Sequence, residues 1–306
     1  MSVTRPTATL RAVALLLLGA LLAACGSGPG AGPSATPGAP TGAPPASPAP
    51  TEAAIQLLLR VTSEGGFIGP SATLATIPTV SVYADGRILT PGPVDAIFPG
   101  PLLPPIAIKN VGAAGAQAIV AAIRAAGLDK ESAGGGIGNP DAATTVFVVT
   151  LDGTTVTTRF HLGGGPGGPG IPGAASPDPS VAAAGDLLTR LTDPSEAWGA
   201  ANPTTSTLSP TAYRIFVAPG APASDGSTSQ PAVAWPLATP LAQFGSPAVP
   251  DRGIAGLRQG AAFGADAATL GPVLAAANAL TGFSSGGNLY TLFVRPLLPD
   301  EVPAPG

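Results

Sequence analysis

The chain has 306 residues, a formal net charge of -4, only 10% charged side chains, and 42 glycines beside 38 prolines. So acidic and sparsely charged a composition argues against nucleic acid as a partner and against electrostatic docking on anionic lipid. One cysteine and one histidine leave no disulfide framework and no zinc site of several Cys or His ligands.

Residues 1–25 read as a secretory leader. Arg5 and Arg11 supply its positive region, residues 12–22 an apolar run too short to span a bilayer as a mature helix, and small residues precede Cys25. Leu22-Ala23-Ala24-Cys25 resembles a bacterial lipobox, which implies a diacylglyceryl group on the Cys25 sulfur and Cys25 as the first mature residue. The expected location is therefore the cell membrane, lipid-anchored on its extracytoplasmic face, with two acyl chains making the attachment stable. Because Arg5 and Arg11 fall in the leader, the formal charge without it drops from -4 to -6.

A tether at 26–51 follows. Up to Pro50 it holds only Gly, Ala, Pro, Ser and Thr, with eight prolines, and cannot bury enough surface to fold. At roughly 3 Å per residue it reaches up to about 75 Å from the bilayer.

A first lobe is expected over 52–200. Residues 55–61 suit a strand ending at Gly65-Gly66, and 80–89 a hairpin turning on Asp85-Gly86 as a type I′ turn. That pairing places Val80, Val82 and Leu89 on one face. The proline-rich stretch 91–105 is an irregular crossing, since proline cannot serve a central ladder. Residues 112–127 switch to helical spacing, with Ile119, Val120 and Ile123 on one face and Gly127 at the C′ position. A second hairpin, 145–151 with 154–162, turns on Asp152-Gly153, with Phe147, Val149 and Val156 inward. Residues 163–177 read as a disordered Gly/Pro insertion. Pro179 then opens a helix whose stripe is Val181, Ala184, Leu187, Leu188 and Leu191, with Trp198 closing the core.

Residues 201–210 are expected to be a linker, 211–301 a second lobe and 302–306 a tail. The second lobe reads as strands at 213–218, 233–235, 254–257 and 289–297, one helical turn at 240–245, and a helix over 266–280. That helix carries Leu270, Val273, Leu274, Ala277 and Leu280 at helical spacing, and Pro272 either kinks or starts it. Runs of strands with isolated helices give an α+β fold, two small lobes, each a mainly antiparallel sheet with one or two packed helices.

Motifs for chemistry are sparse. There is no nucleophile-elbow or Walker pattern, and the glycines at 134–138 follow a helix and lack Rossmann spacing. His161 sits on the second hairpin near Thr144 and beside Arg159, as a partly exposed strand histidine. Asp129 with Glu131, and Asp300 with Glu301, read as solvated surface charges, since nothing near them suggests a desolvating pocket. Trp198 and Trp235 read as core, and 284–288 as a loop tip. No cofactor and no metal are expected.

Gly65-Gly66-Phe67, Val82-Tyr83-Ala84-Asp85-Gly86-Arg87, Trp235-Pro236-Leu237 and especially Arg295-Pro296-Leu297-Leu298-Pro299-Asp300-Glu301 resemble phrases of an uncharacterised family of exported lipoproteins from high-GC bacteria. The resemblance covers most of 55–301, and its C-terminal phrase is the most specific part. It implies an envelope location and a lipid anchor, and it brings no catalytic residues. The Gly-Gly-Phe strand and later Asp-Gly hairpin are also similar to small bacterial protease-inhibitor modules.

The resulting expectation is a lipid-anchored envelope protein acting as a non-catalytic binding or structural module. Its partner would be the membrane through the anchor, together with an exported protein or an envelope polymer. Two alternatives stand beside it: a protease-inhibitor or chaperone-like partner of exported proteins, and a serine-type hydrolase using His161.

Overall fold

Near-continuous apolar runs in Leu57-Leu58-Leu59-Arg60-Val61 and Val80-Ser81-Val82-Tyr83 suit strands covered on both faces. They form two central strands of the first sheet, β1 (Leu57–Gly65), buried in its first half, and β2 (Val80–Tyr83). β3 (Arg87–Pro91), β4 (Ile106–Asn110), β5 (Ala143–Leu151), β6 (Thr154–Phe160) and β7 (Thr204–Thr207) complete it in the order β6-β5-β1-β2-β3-β4-β7. Every neighbouring pair is antiparallel. The computed structural model describes residues 56–66, 69–132, 135, 142–162, 179–223, 230–250 and 252–302. Cys25, the leader, the tether, the 163–177 insertion and most of the 134–138 glycine run lie outside them.

Helices α1 (Gly112–Ala125) and α2 (Pro179–Thr192) cover one face of this sheet. The α2 stripe Val181, Ala184, Leu187, Leu188 and Leu191 is buried as the spacing predicts, and Trp198 closes the same core. Each fully buried aliphatic side chain contributes roughly 1.5–3 kcal/mol.

The two hairpins differ. In the second, Asp152 (φ 51°) and Gly153 (φ 76°) form the expected two-residue turn, and Leu151 faces Thr154. In the first, Gly86 alone has positive φ among the turn residues, its N–H donates to the Tyr83 carbonyl, and Ala84-Asp85-Gly86 make a three-residue loop. Val82 therefore faces Ile88, and Ser81 faces Leu89. This one-residue change corrects the expected pairing: Ile88 joins Val80 and Val82 in the helix-covered core, while Leu89 and Tyr83 point to the opposite face.

The second sheet contains β8 (Tyr213–Pro219), β9 (Val233–Ala234), β10 (Ser246–Pro247), β11 (Arg258–Ala262), β12 (Gly282–Ser285) and β13 (Asn288–Pro296). Its order is β10-β11-β8-β13-β12-β9, antiparallel but for β12 with β9. Helix α3 (Gly264–Ala276) packs Leu270 and Leu274 into its core and holds Pro272 within its length. The strand expected at 254–257 instead lies at β11, and a helix to 280 stops at Ala276. The fold is α+β, with two sheet-dominated lobes.

The expected linker at 201–210 is corrected as well, because β7 pairs along β4 from Asn110↔Thr204 to Ala107↔Thr207 and forms an edge of the first sheet. Apolar side chains also cross between the lobes. Leu102, from the β3–β4 connection, is buried with the α3 core, and Leu74 packs with Ala218, Ala248 and Leu257. Leu298, beyond β13, is buried against Tyr83, Leu89 and Ile106 of the first sheet. Ala49–Gly306 is one compact unit.

Candidate functional site

The seven-residue phrase that ends β13 works as a strap across the first sheet. Leu297 N–H donates to the Ala212 carbonyl at 2.9 Å, Leu298 enters the apolar cluster behind β2 and β3, and Pro299–Glu301 form one 3-10 turn. Asp300 Oδ1 accepts from the Tyr83 hydroxyl at 2.6 Å and from Arg60 Nη2 at 2.8 Å. Glu301 takes both terminal nitrogens of Arg295, at 2.7 and 2.9 Å, and the Leu298 N–H at 2.9 Å. The charged side chains are only about one-fifth exposed, so these pairs form in a partly desolvated setting.

The titration of the cluster follows from that setting. Burial acts to raise the Glu301 carboxyl, but Arg295, the Leu298 N–H and Arg60 outweigh it and hold it below its ordinary range. Burial, and then the hydrogen bond to Asp300, push the Tyr83 hydroxyl well above its usual value. Asp300 and Glu301 are thus not solvated surface charges, which corrects the sequence expectation. They are partly buried because Leu298 carries them onto the sheet.

The loop between β3 and β4 is the exposed counterpart of this rigid frame. Its base is closed by Gly92 N–H to the Pro105 carbonyl at 2.8 Å. Its far limb is tied to the end of α3 by Leu102 N–H to Ala277 at 3.1 Å and Ala279 N–H to Gly100 at 2.9 Å. Between these ties, Val94, Ile97 and Phe98 are 57%, 72% and 69% exposed, with Asp95 among them. Among the described residues no backbone hydrogen bond holds 93–99, so its polar groups face solvent. Adjacent exposed apolar side chains on a pinned loop are the pattern of an interaction surface.

No protein-family model, curated protein or solved structure matches this chain.

The sequence-selected residues fall elsewhere. His161 lies just past β6, with Nδ1 3.4 Å from Thr144 Oγ1 and its N–H bonded to the Gly135 carbonyl, as the hairpin reading placed it. No serine or carboxylate is hydrogen-bonded to its ring among the described residues. Trp198 lies in the first core, its ring 4.2 Å from the Arg190 guanidinium carbon. Trp235 donates to the Thr239 carbonyl at 2.9 Å and packs edge-on to Phe244 and Phe283. Residues 284–288 form the tip of the β12–β13 hairpin, where Ser285 faces Asn288. Among the described residues no group of three or more His, Cys, Asp or Glu is placed to hold a metal, and no helix is long and apolar enough to cross a membrane.

Arg60 and Tyr83 were missed by sequence reasoning. Arg60 offered a signal, a charge inside the apolar run of β1, but its partner lies 240 residues away. The loop also left a trace: Val94, Ile97 and Phe98 stand in a proline-rich stretch with neither strand nor helix period.

Proposed function

We propose that this chain is a lipid-anchored protein of the cell envelope that binds an exported protein and performs no catalysis itself. The lipobox at Leu22-Ala23-Ala24-Cys25 supports the anchor. The observation that carries the binding role is the loop apex Val94, Ile97 and Phe98, exposed on a frame fixed by backbone bonds at both limbs. Pinning lowers the entropy lost when such a loop is immobilised by a partner, and its apolar side chains supply the area to bury. Envelope polymers offer few apolar pockets for Phe98, so a protein is the better-matched partner.

The same loop favours a second reading, an inhibitor or chaperone-like partner of exported proteins, because solvated backbone groups at 94–98 are available to pair with an extended cleft. A photo-reactive phenylalanine analogue at position 97 of the full chain, activated in intact envelopes, tests both. A discrete protein adduct at 97, missing from the same analogue at exposed position 205, is expected. A single protease in that adduct selects the inhibitor, and many unrelated clients select the chaperone. Equal labelling at both positions, or none, overturns the binding role. Measuring hydrolase turnover with and without His161→Ala tests the remaining alternative, for which no loss is expected.

A further inference from the structure

We infer that the groove at one end of the second sheet binds a carboxylate joined to an apolar group. The groove is a half-open depression of about 530 Å³, within the range of small-ligand sites, and its apolar walls are Val217, Pro219, Ala242 and Leu289. Arg258 and Tyr290 add the polar groups.

Arg258 is the deciding residue. Its Nε donates to the Phe244 carbonyl at 3.0 Å and its Nη2 to the Gly245 carbonyl at 2.8 Å. Those two bonds fix the guanidinium plane and leave three of its five N–H donors unspent. The carbonyls are themselves rigidly placed. Gly245 has φ 62°, and a Cβ there would lie 2.0 Å from the Gln259 carbonyl oxygen, so only glycine lets the chain approach β11 this closely. Arg60, Arg87, Arg124, Arg159, Arg190 and Arg295 each face a carboxylate. Arg258, like Arg214 and Arg252, faces none among the described residues, but it alone of these three lines the groove, where two carbonyls hold it in place. Tyr290 lines the same groove, and its hydroxyl has no hydrogen-bond partner among the described residues, which leaves a donor for an anion bound there.

A preorganised guanidinium beside apolar walls matches a carboxylate with an apolar substituent, for which a bidentate pair is the strong geometry. Two sources carry that chemistry, a medium-chain fatty acid and the C-terminus of a peptide ending in an apolar residue. The site is independent of the loop: an adduct at position 97 neither requires it nor excludes it.

Calorimetric titration of the full chain carrying Cys25→Ser, free of detergent, tests the site with two matched pairs of probes. One pair is octanoate and octanamide, the other N-acetyl-Ala-Leu with a free and with an amidated C-terminus. At least one acid is expected to bind tenfold or more tightly than its amide, and which acid does so names the source. Arg258→Gln, which keeps a donor for the Phe244 carbonyl, should abolish the preference, and Tyr290→Phe should weaken the acid about three- to tenfold. Raising salt from 20 to 500 mM in the unsubstituted site should weaken the acid and spare the amide, a readout that needs no variant to fold. Equal binding of acid and amide, no binding of either, or a preference that survives Arg258→Gln overturns the proposal.

Discussion

Replacing Tyr83 by Phe removes one hydroxyl from the interior and leaves the ring, so no cavity opens. Tyr83 is fully buried, and its hydroxyl donates at 2.6 Å to Asp300 Oδ1. A hydrogen bond to a charged acceptor contributes about 1.5–3 kcal/mol. Asp300 keeps its bond from Arg60, so the loss stays in that range, below the roughly 3–5 kcal/mol of a buried charge stripped of its partner. The loss also has a pH signature. Burial first, and then Asp300, raise the Tyr83 hydroxyl above its ordinary value of 10.0, so the folded chain keeps a proton that the unfolded chain releases. Stability from Tyr83 is therefore complete below pH 10 and declines above it, by up to about 1.4 kcal/mol per pH unit. Tyr213, also raised by burial, is present in both proteins and cancels in the difference. Urea unfolding of both proteins at pH 8 and pH 11 measures the effect. A difference of about 1.5–3 kcal/mol is expected at pH 8, shrinking by about 1.4 kcal/mol at pH 11. A difference under about 0.5 kcal/mol at pH 8, or one indifferent to pH, refutes the strap's role in stability.

Gly86→Ala should cost at least about 2 kcal/mol in thermal unfolding, because φ is 88° and its Cβ would lie 2.2 Å from the Gly112 carbonyl oxygen. Gly153→Ala, with φ 76° and open space around it, is the control and should cost about 1 kcal/mol. Leu298→Ala, at a site 1% exposed, should cost about 2–5 kcal/mol and speed hydrogen exchange at Leu297 and Glu301 as the strap loosens. Glu301→Gln should cost about 1–3 kcal/mol at pH 7, reduced from a fully buried pair by its partial exposure. Because the folded Glu301 value lies below the ordinary 4.5, its contribution is present above that pH and lost as pH falls through the lower folded value. The Gln variant should accordingly show a shallower loss between pH 5 and pH 3, and parallel curves contradict this assignment.

Local signals carried much of the fold. Helical spacing placed α2 and all five residues of its buried stripe, and Asp152-Gly153 placed the second hairpin in register. The same dipeptide at Asp85-Gly86 misled. Asp85 Oδ1 accepts the Arg87 N–H at 3.1 Å, and its other oxygen accepts from Arg87 Nε. Those local bonds favour a three-residue loop, and period-two pairing turns that single step into an exchange of Ile88 for Leu89 across the sheet. β7 was hidden because Thr204-Thr205-Ser206-Thr207 is polar and exposed throughout, so nothing in its pattern distinguishes an edge strand from a linker. The strap was legible as a distinctive phrase but not as a contact, since Arg60 and Tyr83 lie more than 200 residues away. Arg258 gave no sequence signal, because what sets it apart is its place in the groove and its bonds to the Phe244 and Gly245 carbonyls, which only the fold reveals.

The anchored-binder account rests most directly on Cys25. Mass spectrometry of the N-terminal peptide, from protein extracted out of the membrane fraction, reads that residue without reference to any ligand. The expected peptide begins at Cys25 and carries a diacylglyceryl group on its sulfur, and Cys25→Ser should yield no acylated form. A mature chain that begins elsewhere, or one whose Cys25 is a free thiol, contradicts the anchor and with it the envelope placement.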